Sequence, residues 1–256
     1  MNGNIVVNRR GGILDIAISR AEKKNALTAA MYAALADAMA SANGDAAVGA
    51  VLLHGVPGAL TAGNDLGDFL TDPPLSPEAP VFRFLHALRT LEAPLVVAVT
   101  GVAVGIGTTL LLHCDLAYCG ISAHFQLPFV SLGLCPEAAS SLLLPRLAGY
   151  ARAAELLLLG EAFGAARALE IGLVNEVLAD DCVLERARER AAQLAAQPAA
   201  ALRLTKRLMK AADAERVREI MDSEAAHFKE RLASPEAREA FAAFLEKRPP
   251  DFARCG

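Results

Sequence analysis

Two glycine-containing segments, each placed after an apolar run that predicts a β-strand, are the residues best suited to chemistry. The first reads Thr61-Ala62-Gly63-Asn64-Asp65, and the second, after the run Leu95–Val99, is centred on Gly105-Ile106-Gly107. A tight turn from a strand into a helix leaves several backbone N–H groups without intrahelical partners, at the positive end of the helix. Each segment could supply one N–H to a carbonyl oxygen, and two converging donors form an oxyanion hole. The alternative interpretation is two ordinary tight turns.

Other catalytic and cofactor motifs are incomplete or missing. The stretch from Gly105 comes within one residue of the dinucleotide fingerprint G-x-G-x-x-G, but Leu110 holds the last position and Asp115 comes too early for the acidic residue that binds a ribose. The sequence has no G-x-x-x-x-G-K-[ST] phosphate loop and no G-x-S-x-G nucleophile elbow. Its five histidines are scattered without metal-ligand spacing, so we expect no metal site.

Composition limits the class of partner. The chain has 256 residues, 54% of them hydrophobic, which is enough for one large domain or a domain with a small appendage. Its formal net charge is −4, so nucleic acid and anionic membrane surfaces are not expected as partners. The five cysteines form no C-x-x-C pair, and we expect reduced thiols.

The location and membrane topology are predicted from two further stretches. The first four residues lack the basic and apolar regions of a signal peptide, and a cytoplasmic location is the default expectation. The stretch from Leu95 to Leu112 has no charged residue and approaches the length of a membrane span. Because glycines and threonines interrupt it, a strand, a turn and a helix are the better interpretation.

The elements around the two segments follow from periodicity and capping residues. Ile5–Val7 and Leu14–Ile18 predict a hairpin, and Thr28 predicts an N-cap for a helix over 29–42. Pro136 predicts the first position of a helix with Glu137 in its first turn. The proline-rich stretch 72–80 predicts a mobile loop. Further strands are expected at 48–54, 95–99, 115–119, 124–125 and 173–177, and helices at 81–91, 151–159, 183–197, 199–212, 215–233 and 235–247.

Together, the two segments resemble the crotonase superfamily, that of the enoyl-CoA hydratases and isomerases. The likeness also includes Cys114-Asp115, Asn25-Ala26-Leu27 and the stretch Gly172–Val177, and it covers essentially the whole chain. The resemblance implies an α/β fold, a crotonase-like spiral of strand-strand-helix repeats over residues 1–180, with the acyl-CoA site. It implies a C-terminal helical region over 181–256 for trimerisation and site cover, in a homotrimer or hexamer. The substrate would be an acyl-CoA thioester, and no separate cofactor is expected because coenzyme A is part of the substrate.

The resemblance also implies roles for individual residues. The oxyanion hole would consist of the N–H groups of Ala62 and Ile106. Hydratases of the family use two glutamates, and the matching positions are Thr109 and Phe129, neither of which exchanges protons at neutral pH. The segment from Leu127 to Ser141 is similar instead to peroxisomal-type Δ3,Δ2-enoyl-CoA isomerases, in which the glutamate after proline is the base; here that residue is Glu137. Expected substrate-binding residues are Lys24, Ala62, Asp65, Leu66, Phe129 and Lys247.

The reaction expected from these residues needs one base. Moving a double bond from C3–C4 to C2–C3 of an enoyl-CoA, a step of fatty acid metabolism, removes a proton from C2 and returns one at C4. For Glu137, a helix end would lower the pKa and apolar neighbours would raise it, and a plain dipole-complementing role is the alternative. Asp65 is expected to order its own loop. A hydratase or another crotonase-type reaction, and a non-catalytic acyl-CoA binder, are the alternative functions.

Overall fold

The computed structural model describes residues 3–56, 58–71, 74, 76 and 78–255. Residues 72, 73, 75 and 77 of the proline-rich stretch, for which a mobile loop was predicted, lie outside these described residues. Within them, no helix is both long enough and apolar enough to cross a membrane. The uncharged stretch from Leu95 is instead divided among two strands, a short helix and a 3-10 turn.

The strands begin with the predicted hairpin. Strands β1 (Ile5–Arg10) and β2 (Ile13–Ile18) pair antiparallel, and both turn glycines, Gly11 and Gly12, have positive φ. The remaining strands are β3 (Ala50–Gly55), β4 (Ala59–Thr61), β5 (Leu95–Val99), β6 (Val102–Val104), β7 (Leu116–Gly120), β8 (His124–Gln126), β9 (Phe163–Gly164) and β10 (Glu176–Leu178).

Two sheets share these strands, and the chain alternates between them. The larger sheet has the order β1-β2-β3-β5-β7-β10, and the smaller has the order β4-β6-β8-β9. Strands β3, β5 and β7 run parallel in the first sheet, and each is followed directly by a strand of the second, β4, β6 or β8. This repeated passage between sheets confirms the predicted crotonase-like spiral.

The α-helices of the described residues lie between and after these strands. They are α1 (Ala29–Asn43), α2 (Leu66–Thr71), α3 (Pro80–Thr90), α4 (Ile106–Thr109), α5 (Ser140–Ala148), α6 (Tyr150–Ala154), α7 (Ala165–Glu170), α8 (Val183–Ala195), α9 (Ala199–Ala211), α10 (Ala214–Leu232) and α11 (Pro235–Glu246). The Thr28 hydroxyl accepts a hydrogen bond from the N–H of Met31, as expected for the N-cap of α1. The predicted C-terminal helical region is confirmed.

Packing of the larger sheet explains its apolar strands. All five residues of β5 are buried, as expected for a parallel strand covered on both faces. One face packs with α1 and α3, while the other packs against Val183, Ala187 and Ala191 of α8. Helix α8 is therefore part of the spiral core, although it follows the last strand.

One predicted strand is largely replaced by a turn. The apolar run Leu173–Val177 enters a strand only at Glu176. Leu173 and Val174 are buried because the chain turns back after α7 through Gly172, at φ 78°, and Leu173 N–H bonds to Ala168 O at 2.9 Å. This is the αL ending of a helix, in which an apolar residue after the glycine packs on the core.

Candidate active site

A cavity of about 670 Å³ lies where the second sheet meets the C-terminal helices. The turns after β4 and β6, the segment before α5, and helices α3, α10 and α11 form its walls. Six of the predicted site residues line it: Ala62, Asp65, Leu66, Ile106, Phe129 and the predicted base Glu137. The structure therefore brings residues from distant parts of the sequence to one apolar chamber.

The two glycine-containing turns are neighbours. Strands β4 and β6 are parallel partners, so their carboxyl ends meet at the same edge of the small sheet. Gly63 has φ 88°, and a Cβ added there would lie 3.0 Å from the carbonyl oxygen of Val104. Glycine is thus required both by the backbone conformation and by the close approach of the second turn.

The prediction that Ala62 supplies a free N–H is wrong. The N–H of Ala62 donates to the carbonyl of Lys24 at 2.9 Å, because this stretch pairs with residues 24–27 as an extended edge. The N–H of Asp65 points the same way, to Leu27 O at 2.9 Å. Of the two residues between them, Gly63 donates its N–H to the Thr61 hydroxyl oxygen at 3.0 Å, while Asn64 lines the cavity and its N–H takes no part in this pairing. The N–H of Asn64 has no acceptor among the residues that the structure describes.

Ile106 provides the second free donor, as predicted. It is the first residue of α4, so its N–H has no carbonyl four residues earlier to bond. Within the described chain, that N–H has no other acceptor. The preceding Gly105 has φ 55° and ψ −116°, a conformation that glycine adopts readily, and its own N–H bonds to Gln126 O at 2.9 Å. Where β4 and β6 end at the cavity, the N–H groups of Asn64 and Ile106 therefore both lack an acceptor within the described chain.

Glu137 does not lie in the first turn of a helix, which corrects the helix predicted from Pro136. Helix α5 begins at Ser140, and the two residues between, Ala138 and Ala139, have φ 59° and 55°. These left-handed residues form a turn that lifts Glu137 out of the helix. Position at a helix N-terminus therefore does not set the acidity of this carboxyl.

The surroundings of Glu137 favour its neutral form. Its pKa is raised to about 8: burial has the largest effect, a hydrogen bond from the Thr109 hydroxyl to Oε1 opposes it, and the charge of Glu224 adds to it. The carboxyl lines the cavity together with apolar residues such as Phe129 and Leu134. Of the two opposing effects expected from the sequence, desolvation is the one that acts on Glu137, because the helix begins only at Ser140.

The other acidic residues of the described cavity wall are held by donors. Asp65 pairs with Arg20 at 2.7 Å and accepts the N–H groups of Gly67 and Asp68. Burial opposes its ionisation, but these donors outweigh burial and hold the pKa of Asp65 below its usual value. Glu224 accepts the N–H groups of Ala139 and Ser141 at 2.6 and 3.0 Å. Asp65 thus orders its loop, as predicted.

The two predicted lysines do not line the cavity. Lys24 and Lys247 are both left-handed residues at the ends of helical turns, and neither side chain is part of the wall. Lys23 lines the cavity instead, as do Phe244 and Leu245 of α11. The predicted contacts of Lys24 and Lys247 with substrate remain predictions.

Comparison with known proteins identifies the family. The family model described as enoyl-CoA hydratase/isomerase matches residues 8–254. The chain belongs to the enoyl-CoA hydratase/isomerase family. A 1,2-epoxyphenylacetyl-CoA isomerase of Escherichia coli is 34% identical over 94% of this chain and 95% of its own length. The enoyl-CoA delta isomerase 2 of Rattus norvegicus is also 34% identical, over 96% of this chain and 64% of its own length.

A solved structure shows the same fold. The crystal structure of an enoyl-CoA hydratase/isomerase from Pseudoalteromonas atlantica matches with a TM-score of 0.93 and 44% identity, over 97% of this chain and 99% of that one. Membership of the enoyl-CoA hydratase/isomerase family supports an enzyme that acts on acyl-CoA. Family members with different activity names share similar identity with this chain, so the type of reaction has to be argued from the site.

The roles of three residues in this site could hardly be predicted from the sequence. The donor was predicted at Ala62, two positions before Asn64, because the hydrogen bond from Ala62 N–H to the Lys24 carbonyl cannot be inferred from the sequence. Thr109 was interpreted only as a missing glutamate, whereas its hydroxyl bonds to Glu137. Glu224 lies in a helix rich in exposed glutamates, and only its burial distinguishes it.

Proposed function

We propose that this family member is a Δ3,Δ2-enoyl-CoA isomerase with Glu137 as its single base. The proposal rests on the hydrogen bonds and the pKa values of the carboxyl groups in the described cavity wall. Asp65 and Glu224 are occupied by N–H and guanidinium donors, while Glu137 is held only by one hydroxyl and has a pKa raised to about 8. A carboxyl poised near neutrality suits proton transfer in both directions.

The reaction follows from the positions of the carboxyl and the two N–H groups. Ionised Glu137 removes a proton from C2 of a 3-enoyl-CoA, and the electron pair of the C2–H bond delocalises onto the thioester oxygen, which gives a dienolate. The N–H groups of Asn64 and Ile106 donate to that oxygen. Glu137 then returns the proton to C4, the double bond forms between C2 and C3, and the thioester carbonyl is restored.

The lining of the cavity supports proton return rather than addition of water. Aromatic and aliphatic side chains surround Glu137, and the position at which a hydratase would carry its other glutamate is Thr109. A hydroxyl at that position accepts and donates hydrogen bonds but does not ionise near neutrality. Without a second group to activate water, the protonated Glu137 has C4 of the dienolate as its acceptor.

We also propose that the enzyme is a trimer assembled through α9. Two charged residues of this helix face inward: Arg203 bonds to the carbonyls of Asp45 and Val48, and Lys206 pairs with Asp115 at 2.7 Å. Its apolar residues Leu208 and Met209 are 65% and 76% exposed. An amphipathic helix with its apolar face outward is a suitable surface for a second copy of the chain.

The function is tested by following both reactions with purified protein. With 3-hexenoyl-CoA we expect formation of the conjugated 2-enoyl thioester, seen by its absorbance, and little hydration of crotonyl-CoA. Glu137→Gln is expected to abolish isomerisation while thioester binding, measured by calorimetry, is kept. The matched control is Glu161→Gln, at an exposed position. Full activity of Glu137→Gln, or hydration faster than isomerisation, would contradict the proposal.

A further inference from the structure

The two residues after Glu137 adopt a conformation that needs support. Ala138 and Ala139 are both left-handed and both buried, and L-residues other than glycine, asparagine and aspartate rarely adopt this region. Two such residues in succession persist only where the surroundings hold them. The direction of the Glu137 side chain therefore depends on what holds this turn.

Glu224 of α10 provides most of that support. Its Oε2 accepts the N–H of Ala139 at 2.6 Å, and its Oε1 accepts the N–H of Ser141 at 3.0 Å and also the Ser141 hydroxyl. These are the unpaired donors at the start of α5, which no side chain of that helix caps. The carboxylate thus joins the turn to the C-terminal helical region.

His113 holds the other side of the turn. Its Nε2 lies 2.7 Å from the carbonyl oxygen of Ala138. Burial lowers the pKa of His113 to about 4, so the ring is neutral near pH 7 and its proton is on Nε2, which donates to the carbonyl. The turn is consequently fixed at its carbonyl by His113 and at its N–H by Glu224.

We propose that Glu224 is a positioning residue for proton transfer: by fixing the left-handed Ala138–Ala139 turn, it aims the Glu137 carboxyl at the substrate. This inference rests on the function proposed above, since it takes Glu137 as the base. Two of the groups that donate to Glu224 are backbone N–H groups, which cannot accept a proton from it. The third is the Ser141 hydroxyl, whose oxygen has lone pairs. Burial raises the pKa of Glu224, but these donors oppose that effect, and the Glu224 charge in turn raises the pKa of Glu137. Of the two carboxyls, Glu137 is therefore the one that carries the proton.

The charge of Glu224 gives this role a signature in the pH profile. The titratable groups recorded around Glu137 in the described chain are Tyr32 from α1, Cys135 from its own segment, Glu224 from α10 and, behind the turn, His113. Of these, Glu224 is the one that bears a charge near pH 7. Its removal should lower the pKa of Glu137 while also loosening the turn.

The test compares Glu224→Gln with Glu230→Gln, an exposed glutamate on the same helix. In Glu224→Gln, the amide nitrogen faces one backbone N–H and cannot accept it. We expect kcat at high pH to fall about tenfold to a hundredfold because the base is misplaced. KM should change less than about twofold, because Glu224 is not a substrate contact in this account. The rising limb of the pH profile should move to lower pH, and Glu230→Gln should behave as wild type.

The outcomes separate this inference from the proposed function. If Glu137→Gln is inactive but Glu224→Gln keeps the wild-type kcat and pH profile, the positioning role is overturned and the isomerase assignment stands. If Glu137→Gln is active, the assignment itself fails. Should Glu224→Gln not fold, Ser141→Ala removes one donor to Glu224; a fall in kcat of about threefold or more at unchanged KM supports the role, and wild-type kinetics overturn it.

Discussion

The Thr109 hydroxyl donates a hydrogen bond to Oε1 of Glu137, which links the helix at the oxyanion site to the base. Thr109 is completely buried, and it stands where a hydratase of this family would carry a glutamate. The contact therefore does two things: it orients the carboxyl, and it favours the ionised form that removes the proton from C2.

Loss of the Thr109 hydroxyl should raise the pKa of Glu137. Thr109→Val keeps the shape of the side chain but has no donor, so we expect the pH profile of kcat/KM to move to higher pH and kcat/KM at pH 7 to fall about tenfold or more. Thr109→Ser is the matched control, because it keeps the hydroxyl. Identical pH profiles for the valine and serine variants would argue against this contact.

The pH dependence of the wild type follows from the sign of the Glu137 shift. Only the ionised carboxylate can remove a proton from C2, and burial raises its pKa to about 8. We therefore expect kcat/KM for isomerisation to rise with pH and to level off above about pH 8. Steady-state rates between pH 5.5 and pH 9.5 provide the measurement. A rate that is flat over this range, or that rises toward acid, is incompatible with the account.

Stability should show the opposite dependence on pH. The folded-state pKa of Glu137 is about 8 against an ordinary value of 4.5, so the native state prefers the protonated form, and stability is lost as pH rises through that interval. The Glu137→Gln variant has no carboxyl to ionise at this position, so it does not lose this stability as pH rises. At about 1.4 kcal/mol per pKa unit, the variant should exceed the wild type by a few kcal/mol at pH 9.

Urea unfolding of both proteins at pH 5 and pH 9 measures this stability difference. Groups other than Glu137 titrate in both proteins, so their contributions largely cancel in the comparison. At pH 5 the two free energies of unfolding should nearly agree. A variant less stable than the wild type at pH 9 would mean that Glu137 is ionised in the free protein and stabilises it.

A proline substitution can remove the N–H of residue 106 while keeping the start of its helix. Proline is well tolerated at the first position of a helix, and Ile106→Pro removes the donor from the start of α4. We expect a loss in kcat of about a hundredfold or more, the usual effect of one oxyanion donor. Ile106→Gly keeps the N–H and should retain most of the activity. Equal activity of the proline and glycine variants would exclude this N–H as a donor.

Assembly through α9 predicts a change of mass on substitution. Leu208→Glu places a charge on the exposed apolar face of the helix, while Arg207→Glu alters an exposed residue beside it. Light scattering should give a trimer for the wild type and the Arg207 variant, and smaller species for Leu208→Glu. A monomeric wild type would contradict the assembly proposed here.

Much of the architecture could be predicted from local sequence signals. Glycine pairs, the Thr28 cap and helical spacing of apolar residues determine the hairpin, α1 and the four C-terminal helices, because these signals act within a few residues. The turns at Gly63 and Gly105 were predicted for the same reason. Their convergence could only be expected from the resemblance, since it depends on the pairing of β4 with β6.

The details that were missed depend on contacts between distant segments. Whether Ala62 or Asn64 has a free N–H is decided by the carbonyl of Lys24, which pairs with the loop from far earlier in the chain. Helix α5 begins later than predicted because Glu224, from the C-terminal region, accepts the N–H of Ala139. This contact stabilises a turn that Pro136 alone does not predict. Local propensity gives way to such tertiary contacts.

The central claim, that Glu137 alone carries the proton from C2 to C4, is tested most directly by isotope transfer. Wild-type protein is mixed with 3-hexenoyl-CoA deuterated at C2, for a single turnover in ordinary water, and the product is analysed by NMR. A single carboxyl acting in this largely apolar cavity should deliver part of the deuterium to C4 of the 2-enoyl product. Hydrogen at C4 that comes entirely from the solvent, in the first turnover, would contradict transfer by one base.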